Sequence, residues 1–164
     1  MPVVTEVDTV DRLAGIAPDS PLAGLRDRRP EARRHTEGAY HALLRPAEAG
    51  GVSGAERAAV ARRVAELNAD AALTAHYAAL LDTAGEDKAG ENRAGEAPSA
   101  RLAAILRHVD RLTLEPRAAT PADLAALRAA GLTERDIVTV SQLVAFVNHQ
   151  VRLLAGLRLL SAAA

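Results

Sequence analysis

The chain has 164 residues, 49% of them hydrophobic and 25% charged, with a formal net charge of −1. That is one domain's length, enough to bury a core, and its near-neutral balance offers no field to recruit nucleic acid or an anionic membrane. Cysteine is absent, which removes disulfides, thiolate catalysis and Cys-ligated metals, and the 2% of aromatic residues (Tyr40, Tyr77, Phe146) are too few for base-stacking platforms.

The opening MPVVTEVDTV is acidic and has neither a basic n-region nor a long apolar run. No secretory signal is read there, and a cytoplasmic location is expected. A first helical turn through Val10-Asp11-Arg12-Leu13 runs to Gly15. Asp19-Ser20-Pro21 then pairs cap residues with Pro in the first turn and predicts a short helix over Pro21–Arg28. Pro30 opens another through EARRHTEGAYHALLR, with Ala39, Leu43 and Leu44 as its apolar side, ended by Pro46 and Gly50-Gly51. Residues 1–49 thus form an N-terminal helical extension. Within it Arg26, Arg28, Arg29, Arg33 and Arg34 make the one basic cluster. Diluted by Asp27 and Glu31 and free of interleaved aromatics, it reads as a solvated helix face.

Ser53-Gly-Ala-Glu56 is a capping box ahead of an Ala-rich helix with Val60, Val64 and Leu67 on one face. At Asn68-Ala69-Asp70 the pattern breaks and restarts, and a further helix runs through Leu73, Tyr77, Leu80 and Leu81. Residues 83–98, TAGEDKAGENRAGEAP, have no apolar period and read as a flexible linker inside a single domain, 1–164. Ser99 caps a helix whose buried face is Leu102, Ile105, Leu106 and Val109. Thr120-Pro121-Ala122-Asp123 starts a short helix that Gly131 ends.

Thr133 and Asp136 then cap the longest periodic stretch, Thr133 to Leu160. Ile137, Val140, Val144, Val147, Val151 and Leu154 form one helical stripe, with Leu143, Phe146, Leu153, Leu157 and Leu160 beside it. Two adjoining stripes predict a central helix roughly 40 Å long, buried over more than half its circumference. Arg152 and Asn148-His149-Gln150 interrupt it too often for a membrane span. No segment alternates with period two, so the expected fold is all-α.

Two stretches carry a resemblance: GGVSGAERAAVARRVAELNADAALTAHYAALL, and ATPADLAALRAAGLTERDIVTVSQLVAFVNHQVRLLAGL. Together they resemble the carboxymuconolactone decarboxylase and alkylhydroperoxidase D-like superfamily over about Gly50 to Leu160. The resemblance implies an AhpD-like helical bundle with a long buried C-terminal helix. It also implies a homo-oligomer, a trimer or a multiple of one, or a hetero-oligomer with a paralogue, the end of the central helix (Val151–Leu160) lying near the interface.

The peroxidases of that superfamily carry a Glu, eleven further residues, a Cys-x-x-Cys pair, three more residues and then a His. One thiolate attacks the peroxide, the second resolves the sulfenate, and Glu and His relay protons. Anchored on Leu67-Asn68, those positions here are Ala58, Asp70, Leu73 and Tyr77. Sliding to use His76 gives Arg57, Ala69 and Ala72, and sliding to use Glu56 gives Asn68, Ala71 and Ala75. No register keeps more than one of the four groups.

The pocket candidates are therefore Asp70, His76, Tyr77 and Glu56. Asp70 is explained as an N-cap and Tyr77 as core with its hydroxyl satisfied. His76 lies about 100° around the helix from Tyr77 and reads as a surface or interface residue. Asn148 and Arg152, four apart, resemble the superfamily's polar pair and would orient helices. His35, His41, His76, His108 and His149 show no metal-binding spacing, so neither a metal nor a cofactor is expected. The expected role is a non-peroxidase structural or regulatory companion, or a small-molecule binder, beside an active paralogue. The alternative is a cofactor-free, decarboxylase-like acid–base enzyme of small-molecule catabolism.

Overall fold

The computed structural model describes residues 8–86 and 99–162. Its helices are α1 (Thr9–Ala14), α2 (Pro21–Asp27), α3 (Pro30–Leu44), α4 (Gly54–Leu67), α5 (Ala71–Glu86), α6 (Ala100–Leu114), α7 (Pro121–Ala129) and α8 (Glu134–Ala162), with a 3-10 turn at Pro116–Ala118. No strand occurs among the described residues, and the fold is all-α.

Local chemistry sets most boundaries. The Ser20 hydroxyl accepts from the Ala23 N–H, and Ser99 accepts from Leu102. Ser53 and Glu56 exchange reciprocal bonds ahead of α4. The Asp136 carboxylate accepts from both the N–H (2.9 Å) and the hydroxyl (2.8 Å) of Thr133 at the start of α8. Gly15 closes α1 at φ +70°, where a side chain would be strained.

α4 and α5 fold back on each other through Asn68-Ala69-Asp70, with Ala69 left-handed at φ +55°. α8 crosses this hairpin and also packs on α1, α3 and α6. Val10, Tyr40, Leu44, Val60, Val64, Leu73, Ile105, Val140, Val147 and Leu154 belong to a single buried cluster, so the N-terminal helices share the core of the rest. By length and composition α8 is the one described helix that could cross a membrane. Its apolar side, however, lies inside the bundle at Ile137, Val140, Leu143, Val144, Val147, Leu154 and Leu157.

Two expectations are corrected. Thr83 to Glu86 continue α5 rather than opening the linker, and the Thr83 hydroxyl donates to Leu80 O within the helix. The rest of the proposed linker, 87–98, lies outside the described residues. The basic cluster is not simply a solvated face. Arg26 pairs with Asp8 (2.9 Å) and Asp11 (2.5 Å), and Arg33 with Asp11 (2.5 Å) and Asp27, tying α1 to α2 and α3. Within the stretch expected near an interface, Leu154 and Leu157 fill the chain's own core. What α8 exposes is a different stripe: Val138, Gln142, Ala145, His149, Arg152, Gly156 and Leu159, again alternating four and three apart.

Candidate functional site

The four candidates do not converge. Glu56 sits at the start of α4 and Asp70 just beyond its end, separated by about 20 Å, the length of that helix. Glu56 closes its capping box and accepts from Arg101 Nε at 2.7 Å. Arg101 also donates to the carbonyls of Gly51 (2.7 Å) and Gly131 (3.1 Å), so Glu56 anchors a clamp between α4, α6 and two turns. Beside it, buried Arg57 donates to the carbonyls of Leu43 (2.7 Å), Ala49 (2.8 Å) and Val52 (3.0 Å) and shapes the connection into α4.

Asp70 caps α5, as its position after the break predicts: Oδ1 accepts from the Leu73 N–H at 3.0 Å. The sequence does not announce its second partner. Arg158, near the end of α8, donates to Asp70 Oδ2 at 2.7 Å and to Leu13 O at 3.2 Å. Burial pushes the Asp70 carboxyl up, but the Arg158 bond and the Leu73 N–H outweigh it and hold it below the usual carboxylate range.

Tyr77 is fully buried and donates its hydroxyl to Gln150 Oε1 on α8. Burial raises the phenol far above its ordinary value, so it stays protonated. Gln150 is itself 1% exposed, a burial hidden from pattern reading because an interruption in an apolar stripe looks like a solvent position. A second polar bridge starts two residues away on α8, on another side of the helix. Asn68 donates to Asn148 Oδ1 at 3.2 Å, and Arg152 donates to Asn148 O at 2.7 Å. Asn148 therefore links the end of α4 to α8, while exposed Arg152 bonds, among the described residues, only to Asn148 on its own helix.

His76 is held by a phenol and a guanidinium rather than by a cap and an ion pair. Its ring is half-buried where α5 meets α1 and α3, with Nε2 2.9 Å from the Tyr40 hydroxyl and Nδ1 3.4 Å from Arg12 Nη2. The Tyr40 and Tyr77 rings flank it, with centroids 5.7 and 5.0 Å away. Burial, then the charges of Arg12 and Arg45, push the imidazole down to about 4, so it is neutral near pH 7. Tyr40 and Arg12 lie 36 and 64 residues from His76, and no local pattern could have nominated them.

Elsewhere a shallow groove of about 430 Å³ runs between α6 and α7, lined by Arg107, His108, Asp110, Arg111 and Asp123 among others. No protein-family model matches this chain, and no curated protein does.

Proposed function

We propose that this chain is a non-peroxidase, AhpD-like companion protein that docks on another helical subunit, either a second copy of itself or a redox-active paralogue. The observation that carries the reading is the use made of the pocket positions. Asp70 and Tyr77, which stand where the resemblance places a thiol and a relay histidine, are both spent on cross-links from α5 to α8. Glu56 is spent on a third cross-link. With all three consumed in holding helices together, the scaffold is maintained without the chemistry.

The exposed stripe of α8 supports the docking half. Val138 is 53% and Leu159 72% exposed, with small Ala145 and Gly156 between them, a surface on which a partner helix can lie close. Light scattering at micromolar concentration, alone and with a Cys-x-x-Cys paralogue, tests this. An assembly that Leu159→Glu disperses while leaving helicity intact supports the reading. A monomer under both conditions sinks it.

One observation favours the acid–base alternative. His76 is neutral and hydrogen-bonded to a phenol, which is the state a general base needs. Its Nδ1 lone pair, however, faces a guanidinium rather than an open cavity.

A further inference from the structure

The ring of His108 is held from one edge only. Ser141 Oγ gives its single proton to Ile137 O at 2.8 Å, so toward His108 Nε2, 3.3 Å away, it can only accept. Burial keeps the imidazole neutral, which leaves Nδ1 a bare lone pair. His108 is 5% exposed, and its Nδ1 has no partner among the described residues. Two other buried polar atoms, Asp11 Oδ1 and Arg26 Nε, lack a well-directed hydrogen bond, but they face each other at 2.5 Å as an ion pair. The unanswered acceptor on His108 has no such compensation, and a buried polar group without a partner is uncommon enough to need a cause.

His108 forms part of the wall of the groove between α6 and α7. Most charges there are already matched. Asp110 takes two bonds from Arg63 (2.7 and 3.0 Å), and Arg111 gives one to Glu115 (2.9 Å). Two groups are not matched in this way. Exposed Arg107 has no carboxylate within 4.0 Å among the described residues. Asp123 receives both the N–H and the hydroxyl of Thr120 on Oδ2, and Oδ1 takes no bond among the described residues. Leu114 and Ala126 add apolar surface to the same groove. What stays unspent is one cationic donor, one anionic acceptor, one neutral acceptor and an apolar strip.

We propose that this groove binds a small aliphatic amino acid, its carboxylate on Arg107 and its ammonium shared between Asp123 Oδ1 and His108 Nδ1. An ammonium suits the two acceptors because it carries three protons and no lone pair, whereas a hydroxyl has one proton to give. The ligand's carboxylate can take a forked pair of N–H donors from the guanidinium, and its side chain then lies along Leu114 and Ala126. The contact between Nε2 and Ser141 Oγ is long, so the ring can turn toward an entering donor at little cost. The site goes beyond the docking role and does not depend on it, since none of these residues belongs to the exposed stripe of α8.

The test is a titration of the full chain with L-leucine at neutral pH, following the imidazole nitrogen resonances by NMR. The Nδ1 resonance of His108 should move upfield, saturably, as its lone pair accepts a proton, while the other histidines stay in place. Isovalerate and isoamylamine, which each carry one half of the charge pattern, should bind about tenfold more weakly or worse. Arg107→Gln, at an exposed position, and Asp123→Asn, which keeps a capping oxygen, should each weaken L-leucine binding about tenfold. Arg117→Gln, at an exposed arginine of the 3-10 turn, should leave it unchanged. The absence of a saturable shift with L-leucine overturns the proposal. So does undiminished binding in either groove variant, or isovalerate or isoamylamine binding as tightly as L-leucine.

Discussion

Tyr77 and Gln150 satisfy each other in the centre of the molecule, a phenol proton given to an amide oxygen, both side chains cut off from water. Either one alone would be a buried polar group without a partner. Tyr77→Phe and Gln150→Leu should each cost about 1–3 kcal/mol, while the double variant should cost less than their sum, because the orphaned group is gone. Urea unfolding of the four proteins measures the coupling. Strict additivity would mean that the two groups do not stabilise each other.

Asp70 does two jobs, and substitutions separate them. Asp70→Asn keeps a capping oxygen but loses the charge that Arg158 meets, whereas Asp70→Ala loses both. The alanine variant should therefore be the less stable by about 1 kcal/mol. The carboxyl is held below its ordinary value of 3.8, so its contribution is complete above that pH and is lost as pH falls through the folded-state value. Arg158→Ala should shrink this acid-sensitive component. Identical acid-unfolding curves for wild type and Arg158→Ala would remove the ion pair from the account.

His76 sets a separate pH window. Its imidazole titrates near 4 in the folded chain against 6.5 as a free side chain, so between those values the unfolded chain binds more protons. Stability should rise with pH across that interval and level off above it, by on the order of 1–2 kcal/mol once partial exposure is discounted. His108, also depressed by burial, adds to the slope. His76→Gln should flatten the dependence measured between pH 4.5 and 7. An unchanged slope in that variant counts against the assignment.

Gly51 and its neighbours give a steric contrast. A Cβ on Gly51 would lie 2.3 Å from Asp136 Oδ1, and that carboxylate is fixed by capping α8. Gly51→Ala should cost about 1–3 kcal/mol, by displacing the cap. Gly54, with nothing nearer than 3.9 Å, should accept Ala at little cost or some gain. Thermal melts rank the two. Equal midpoints would show that Asp136 yields freely.

No thiol-dependent turnover of an organic hydroperoxide is expected, since the sequence contains no cysteine. Installing Cys at positions 70 and 73 should not create it. Ala58 and Tyr77 supply no proton relay, and the first change removes the cap and the Arg158 contact. Turnover above a heat-treated control in either protein would contradict this.

Helix starts were readable because their causes are local. Ser20, Ser53, Ser99 and Thr133 each reach an N–H or carboxylate within three residues. The cap at Asp70 and the buried ring of Tyr77 were readable on the same ground. What closes the site was not. Arg158 is 88 residues from Asp70, Gln150 is 73 from Tyr77, and Tyr40 is 36 from His76. Periodicity describes one helix at a time, so it placed His76 on a surface that α1 and α3 in fact half cover. The end of α5 was misplaced for a related reason. Thr83 to Glu86 carry no apolar signal of their own and continue a helix already packed.

The packing of both Tyr40 and Tyr77 against one imidazole also decides what light can report. The chain has no tryptophan and only these two tyrosines, so its tyrosine absorbance and emission arise wholly at the junction of α1, α3, α5 and α8. Far-ultraviolet dichroism, by contrast, averages over every helix. Optical unfolding curves from the two therefore watch different things, and an early tyrosine transition would mark the N-terminal helices peeling from the bundle before it melts.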